Sequence, residues 1–149
     1  MSRTAHRAPV HTPPVTRPPT PAFQAFVVLR AAFTAAPVLF GLDKFFNLMA
    51  DWPSYLWSGF AAALPGTSAD LMLVVGVIEI VAGIVVALRP RIGGYVVAAW
   101  LAGIILNLLL VGDFYDIALR DFGLLLGALA LARLAAAFPH SGVLREGAR

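Results

Sequence analysis

The chain has 149 residues, of which 60% are apolar and 13% charged, and its formal net charge at pH 7 is +3. A composition this apolar excludes an ordinary soluble domain and predicts one folding unit that is solvated mostly by lipid. The 11 Lys and Arg are dispersed rather than gathered in a stripe, which argues against nucleic acid as a partner, and the absence of cysteine excludes disulfide exchange, a thiolate metal site and a lipoprotein anchor.

The chain begins with a segment rich in proline and arginine, residues 1–22, which cannot bury apolar area or form a regular hydrogen-bond ladder. It predicts a disordered cytoplasmic tail. The apolar stretch that follows is longer than the usual core of a signal peptide and lacks a clear small-residue cleavage pattern. We therefore expect a first membrane helix over residues 23–45 rather than a cleaved leader.

Three further apolar runs predict membrane helices over residues 70–88, 92–111 and 117–138, each long enough to cross a bilayer. An Arg-Pro-Arg turn separates the first two of these runs. The predicted fold is all-α: a polytopic bundle of four transmembrane helices over residues 23–138, followed by a short cytoplasmic tail, 139–149.

The distribution of basic residues predicts the orientation of this bundle. Lys and Arg are absent from the connections over about residues 47–70 and 112–116, whereas both tails and the turn at residues 89–91 contain arginine. Cytoplasmic loops carry the excess of basic residues. Both termini are therefore expected in the cytoplasm, and the protein is expected to be a multi-pass protein of the plasma (inner) membrane.

The outer connection, residues 51–66, is the longest and most aromatic of the predicted loops. Trp52, Tyr55 and Trp57 suit the membrane–water interface, where an apolar ring and a polar N–H or O–H group are both satisfied. A short interfacial helix is expected here. An aromatic belt that anchors the loop is the favoured interpretation, and a lid over a quinone or substrate is the alternative.

A single acid, Glu79, lies near the middle of the second apolar run. A carboxylate at that depth costs on the order of 3 kcal/mol, so it requires a partner or a function. Gly76 and Gly83 are three and four residues away and share its helix face, and small residues on a face let another helix approach closely. The same spacing places Arg120 in line with Gly123 and Gly127 in the fourth run.

These charges are expected to point into the bundle and to meet in its outer half. The predicted buried polar, or ligand-binding, cluster consists of Arg30, Lys44, Glu79, Asn107, Arg120 and Asp121. Arg120 is the expected partner of Glu79, with Arg30 next in preference, and Asn107 is expected to form an interhelical hydrogen bond rather than a ligand contact. A purely structural role in assembly is an alternative for the whole cluster.

Over residues 24–136 the pattern resembles the DoxX family of small four-helix bacterial membrane proteins. The matching pieces are Leu29-Arg30 and the segment Phe40 to Phe45 in the first helix, Gly76 to Gly83 in the second, and Ala118 to Leu125 in the fourth. The segment around Glu79 is the most specific of them. This chain departs from the family at Arg120-Asp121, where Arg-Asn is more usual.

The resemblance implies a membrane subunit of a thiosulfate:quinone oxidoreductase or of a membrane redox-defence complex. Carried over by position, Lys44, Glu79 and Arg120 would be the polar core that meets a quinone headgroup or a partner subunit. The sequence offers no cysteine, no histidine pair inside the apolar runs and no nucleotide-binding fingerprint, so we expect no catalytic residue, no metal site and no covalently bound cofactor. Any enzyme activity would then be that of a subunit that does not itself carry electrons.

Two further functions stay open from the residues alone. One is a small proton-coupled transporter in which Glu79 exchanges a proton for substrate. The other is a structural membrane protein without a ligand. The lipid bilayer is a partner in every case, while a redox partner subunit and a homo-oligomer are both compatible with the sequence.

Overall fold

The computed structural model describes residues 20–138, which form helices and connecting turns without any β-strand. Five α-helices follow one another: α1 Pro21–Phe46, α2 Ser58–Ala63, α3 Ser68–Leu88, α4 Pro90–Val111 and α5 Tyr115–Ala137. A 3₁₀ turn, Trp52–Tyr55, lies between α1 and α2. The expected tails lie outside the described residues, except at the junction with α1.

Local capping starts two of the helices earlier than the apolar pattern predicts. Thr20 accepts a hydrogen bond from the backbone N–H of Phe23, and Pro21 occupies the first helical position, where its missing N–H costs nothing. At the start of α3, Thr67 and Asp70 form a capping box in which each side chain accepts from the other residue's backbone N–H. Asp70 is therefore inside the helix rather than its first residue.

The long helices associate as two antiparallel pairs, α1 with α3 and α4 with α5, and the contact between α3 and α4 is less extensive. Arg89 alone separates α3 from α4. Gly112 ends α4 with φ +81°, a left-handed conformation that glycine adopts without strain. The reversal at Gly112 brings α5 back along α4.

Glycine brings the helix backbones of each pair into direct contact. A methyl group added at Gly41 would lie 2.5 Å from the carbonyl oxygen of Gly76, and one added at Gly76 would lie 2.7 Å from that of Gly41. In the second pair, a methyl group at Gly94 would lie 2.8 Å from the carbonyl oxygen of Ala128. Such approaches exclude any side chain, so these positions set how closely the helices cross.

The glycines that the sequence singled out for close packing behave differently from one another. Gly76 and Gly83 both face α1, where Gly83 lies against Thr34 and Val38. Gly127 faces the ring of Phe33. Gly123, in contrast, has no neighbour within 4 Å of an added methyl group, so the prediction of close packing there was wrong. The reason is rotational: α5 turns Gly123 away from its neighbours.

The surface of the bundle is apolar, as expected of helices that lie in lipid. Large side chains such as Val28, Leu88 and Leu119 are exposed over 66%, 73% and 73% of their area. Within the described part of the chain, three helices are long and apolar enough to cross a membrane: α1, α3 and α4. Helix α5 has a similar length but is not one of them, since any 18-residue stretch of it contains at least three charged residues.

Candidate functional site

The buried acid of α3 forms an ion pair with a lysine of α1. Lys44 Nζ donates to Glu79 Oε2 over 2.6 Å, and the two side chains are only 4% and 10% exposed. The close crossing at Gly41 and Gly76 places Lys44 against α3 on the outer-loop side of Glu79, so that the long lysine side chain reaches down to the carboxylate. Burial and a short charge-assisted bond make this pair a strong polar contact between α1 and α3.

The outer connection covers the ion pair. The ring of Trp52 lies over the lysine, with Nζ 3.7 Å from the ring centroid, which is the geometry of a cation–π contact. The indole N–H of the same residue donates to Asp43 Oδ2 over 2.7 Å, and Asp43 also accepts from the backbone N–H groups of Leu48 and Met49. Asp43 thus fixes the chain reversal after α1 and, through Trp52, the cover over Lys44.

Two further side chains approach Glu79 from the other helix pair. The indole of Trp100 in α4 lies beside the Glu79 carboxyl, near enough for its buried Nε1 to interact with it but outside the geometry of a formed hydrogen bond. The carboxyl of Asp121 in α5 is close enough to Glu79 for the two to repel. Polar side chains from α1, α4 and α5 therefore surround Glu79 of α3.

The two arginines expected to pair with Glu79 lie elsewhere. Arg120 has a side chain that is 63% exposed, and its Nε donates to Asp121 over 3.3 Å. Arg30 instead donates through Nη2 to the backbone oxygen of Ala87, near the end of α3. Consecutive helical residues differ by about 100° in direction, and in α5 the rotation that buries Asp121 leaves Arg120 exposed.

Asn107 binds the outer connection rather than the cluster around Glu79. Its Nδ2 donates to the backbone oxygen of Tyr55 over 2.6 Å, and its Oδ1 accepts from the backbone N–H of Trp57 over 3.0 Å. One amide side chain of α4 therefore satisfies two backbone groups of the connection. This contact places the aromatic segment across the outer end of the bundle instead of leaving it free in the interface.

The aromatic residues of the connection pack against the bundle and against one another. Trp52 packs against Phe40 and Tyr55, and the ring of Tyr55 lies 4.5 Å from that of Phe114, which precedes α5. Trp57 contacts Phe60 edge-on. Trp52 thus closes the ion pair, while Tyr55 and Trp57 hold the segment in place.

Sequence reasoning missed Trp100 and Asp43 as site residues and assigned Trp52 to interfacial anchoring. The only signal for Trp100 in the sequence was its indole N–H, a polar group within an apolar run. Among the described residues, no three His, Asp or Glu side chains come together in a way that could hold a metal ion. The chain matches no protein-family profile, no curated protein sequence and no solved structure.

Proposed function

We propose that the chain is a four-span plasma-membrane protein that presents the Lys44–Glu79 pair to a quinone headgroup within a redox assembly, while a partner subunit carries the electrons. The observation that carries the proposal is the buried pair itself, which places a donor and an acceptor side by side under an aromatic ring. A quinone carbonyl requires a hydrogen-bond donor, and its reduction to a quinol takes two electrons and two protons. The ammonium of Lys44 would supply the hydrogen bond, the partner subunit would supply the electrons, and the carboxylate of Glu79 would relay the protons from water. The resemblance to the DoxX family points to the same ligand.

Access to the pair requires a movement of the outer connection. Lys44 is covered by Trp52, so a headgroup reaches the lysine only when that indole is displaced. An indole leaving the lysine can stack on a quinone ring in the same place, since both are planar and apolar. The bond between Trp52 and Asp43 gives the closed position a defined geometry.

Quinone binding is tested on the purified chain in lipid nanodiscs with a short-chain ubiquinone analogue, which partitions weakly into lipid. We expect saturable quenching of tryptophan fluorescence, because Trp52 and Trp100 both lie at the ion pair. Glu79→Gln should weaken quinone binding about tenfold, because the loss of one charge-assisted hydrogen bond changes a dissociation constant by about that factor. Arg133→Gln, an exposed change at the other end of the bundle, serves as the control. Equal quenching in Glu79→Gln and in the wild type would contradict the proposal.

A proton-coupled transporter is the second candidate, and the proximity of Asp121 to Glu79 favours it. A second carboxyl group near Glu79 would let a proton pass between the two acids. The test is proton uptake by liposomes that contain the purified chain. Uptake that is lost in Glu79→Gln, in a chain that binds no quinone, would establish this function instead. A chain that shows neither activity, and in which Glu79→Gln lowers only stability, would be a structural protein.

The proposed topology has α5 as a fourth crossing and both termini in the cytoplasm. Asp121 supports it, because burial of this acid against the other helices offsets the charge that makes α5 less apolar than α1, α3 and α4. A thiol reagent added outside intact cells should label Ser58→Cys. The same reagent should leave Ser141→Cys, beyond the described residues, unlabelled until the membrane is opened. The opposite labelling would reverse the orientation.

A further inference from the structure

A second charged position, independent of the ion pair, lies at the opposite end of the bundle. Arg30 of α1 is half-buried in a groove of about 310 Å³ between α1 and the end of α3. The groove is lined by Phe23, Phe26, Val27, Arg30, Ala31, Thr34 and Ala87. Except for the guanidinium and one hydroxyl, its walls are apolar side chains or backbone, and it opens to the surface that the bundle presents to lipid.

The guanidinium of Arg30 has hydrogen-bonding capacity that residues 20–138 leave unused. The structure gives it one bond, from Nη2 to the backbone oxygen of Ala87 over 2.5 Å, whereas the group carries five N–H donors. Within residues 20–138, Arg30 forms no ion pair with a carboxylate. A charged group in an apolar groove is stabilised by a counter-ion, and this one has none from the described chain.

The charge distribution of the described bundle explains why Arg30 has no counter-ion there. Arg89 and Arg91 lie in the turn beside Ala87, and Arg133 lies near the end of α5. All acidic residues in positions 20–138 other than the mid-helix Glu79 lie toward the opposite end: Asp43, Asp51, Asp70, Asp113, Asp116 and Asp121. The end that contains Arg30 is thus uniformly basic, and an anion there must come from outside residues 20–138.

The guanidinium lies near the end of α3, the level at which a lipid phosphate is expected. Ala87 lies in the last turn of α3, so the bond from Arg30 holds the guanidinium level with the helix end. Helix α1 has 26 residues and a length of about 39 Å, more than the roughly 30 Å of a bilayer core, so its first turns extend to the headgroup region. The aromatic rings of Phe23, Phe26 and Phe138 border the groove at this level.

We propose that this groove binds an anionic phospholipid, with the phosphate on the guanidinium of Arg30 and an acyl chain along Phe23, Val27 and Ala31. Basic recesses between membrane helices are known sites for anionic headgroups. The uniformly basic surroundings favour an anionic lipid over a zwitterionic one, because Arg89 and Arg91 add to the positive field at the same depth.

Native mass spectrometry of the purified chain tests the proposal, with phosphatidylglycerol or phosphatidylcholine added to the detergent solution. We expect one phosphatidylglycerol to stay bound, about tenfold more tightly than phosphatidylcholine, and Arg30→Gln to remove that preference. Arg133→Gln, exposed at the same end, should keep it. An equal loss in both variants would show diffuse attraction to the basic end and would overturn the proposal, as would the absence of any lipid preference in the wild type.

A second pair of variants separates the groove from the fold. Ala31→Phe keeps Arg30 and its bond to Ala87 but fills the groove, and should displace the lipid as Arg30→Gln does. Val28→Phe, on an exposed part of α1 that does not line the groove, is its matched control and should bind normally. If inorganic phosphate displaced the lipid at equal concentration, the apolar groove would contribute nothing to binding and the proposal would fail. Normal lipid binding by Ala31→Phe would contradict it in the same way.

Discussion

Replacing Lys44 by methionine is expected to lower the free energy of unfolding by on the order of 3 kcal/mol, because the change leaves the carboxylate of Glu79 buried without its cation. Glu79→Gln should be costly for the same reason, since it leaves the buried ammonium of Lys44 without an anion. Unfolding in a mixed detergent series, followed by circular dichroism, measures both losses. The large effect follows from burial: ion pairs of the same length at an exposed surface contribute at most about 1 kcal/mol.

A double-mutant cycle isolates the pair from its surroundings. The double variant Lys44→Met with Glu79→Gln should lose clearly less stability than the sum of the single losses, because neither charge then remains. The matched control is the cycle of Glu79→Gln with Arg120→Gln. Its coupling should be close to zero, since Arg120 is exposed and bonded to Asp121. Strict additivity for Lys44 and Glu79, or strong coupling for Arg120 and Glu79, would contradict the observed pairing.

The arrangement of helices along the chain was predictable because it depends on local properties of the sequence. Apolar length, the arginines around Pro90 and the glycine after Val111 mark helix ends that the structure places within a few residues. The start of α3 was predicted two residues too late. Apolar periodicity begins only at Leu71, but the Thr67–Asp70 capping box extends the helix before any apolar side chain is present.

The partner of Glu79 was harder to predict, since it depends on how the helices are rotated about their axes. The sequence gives the position of each residue along its helix. By that measure Arg120, Arg30 and Lys44 could all reach the carboxylate of Glu79. The backbone contact of Gly41 with Gly76 decides between them, because it brings α1 against α3 at the turn that contains Lys44. Gly41 was not among the glycines singled out, as its segment contains no second small residue at a spacing of three or four.

The same reasoning explains why the partners of Asn107 and Trp52 were not predicted. Their partners are backbone groups and side chains of a connection with little regular structure, and hydrophobic periodicity does not predict the path of such a segment. The residue type did indicate the chemistry: an amide in a helix without charges requires a polar partner, and it finds two on the outer connection. Sequence therefore predicted that Asn107 is bonded, but the partner depended on the tertiary fold.

The second large effect is expected at Gly76, where the replacement of one hydrogen by a methyl group forces α1 and α3 apart. In Gly76→Ala the added carbon would lie 2.7 Å from the backbone oxygen of Gly41 and 3.2 Å from Cβ of Lys44, and the backbone oxygen cannot rotate away. Overpacking of this kind costs about 1–3 kcal/mol, which exceeds the gain of up to about 1 kcal/mol from replacing glycine by alanine in a helix. We therefore expect a net loss of stability.

Gly123→Ala is the matched control, because it is the same substitution inside a long helix, with nothing within 4 Å of the new methyl group. Only the gain in helix propensity remains there, so this variant should be as stable as the wild type or more so. Gly76→Ala should also weaken quinone binding, because the separation of α1 from α3 draws Lys44 away from Glu79. If both variants had the same stability, the crossing of α1 and α3 would not depend on the contact between Gly41 and Gly76, and the position of Lys44 beside Glu79 would need another cause.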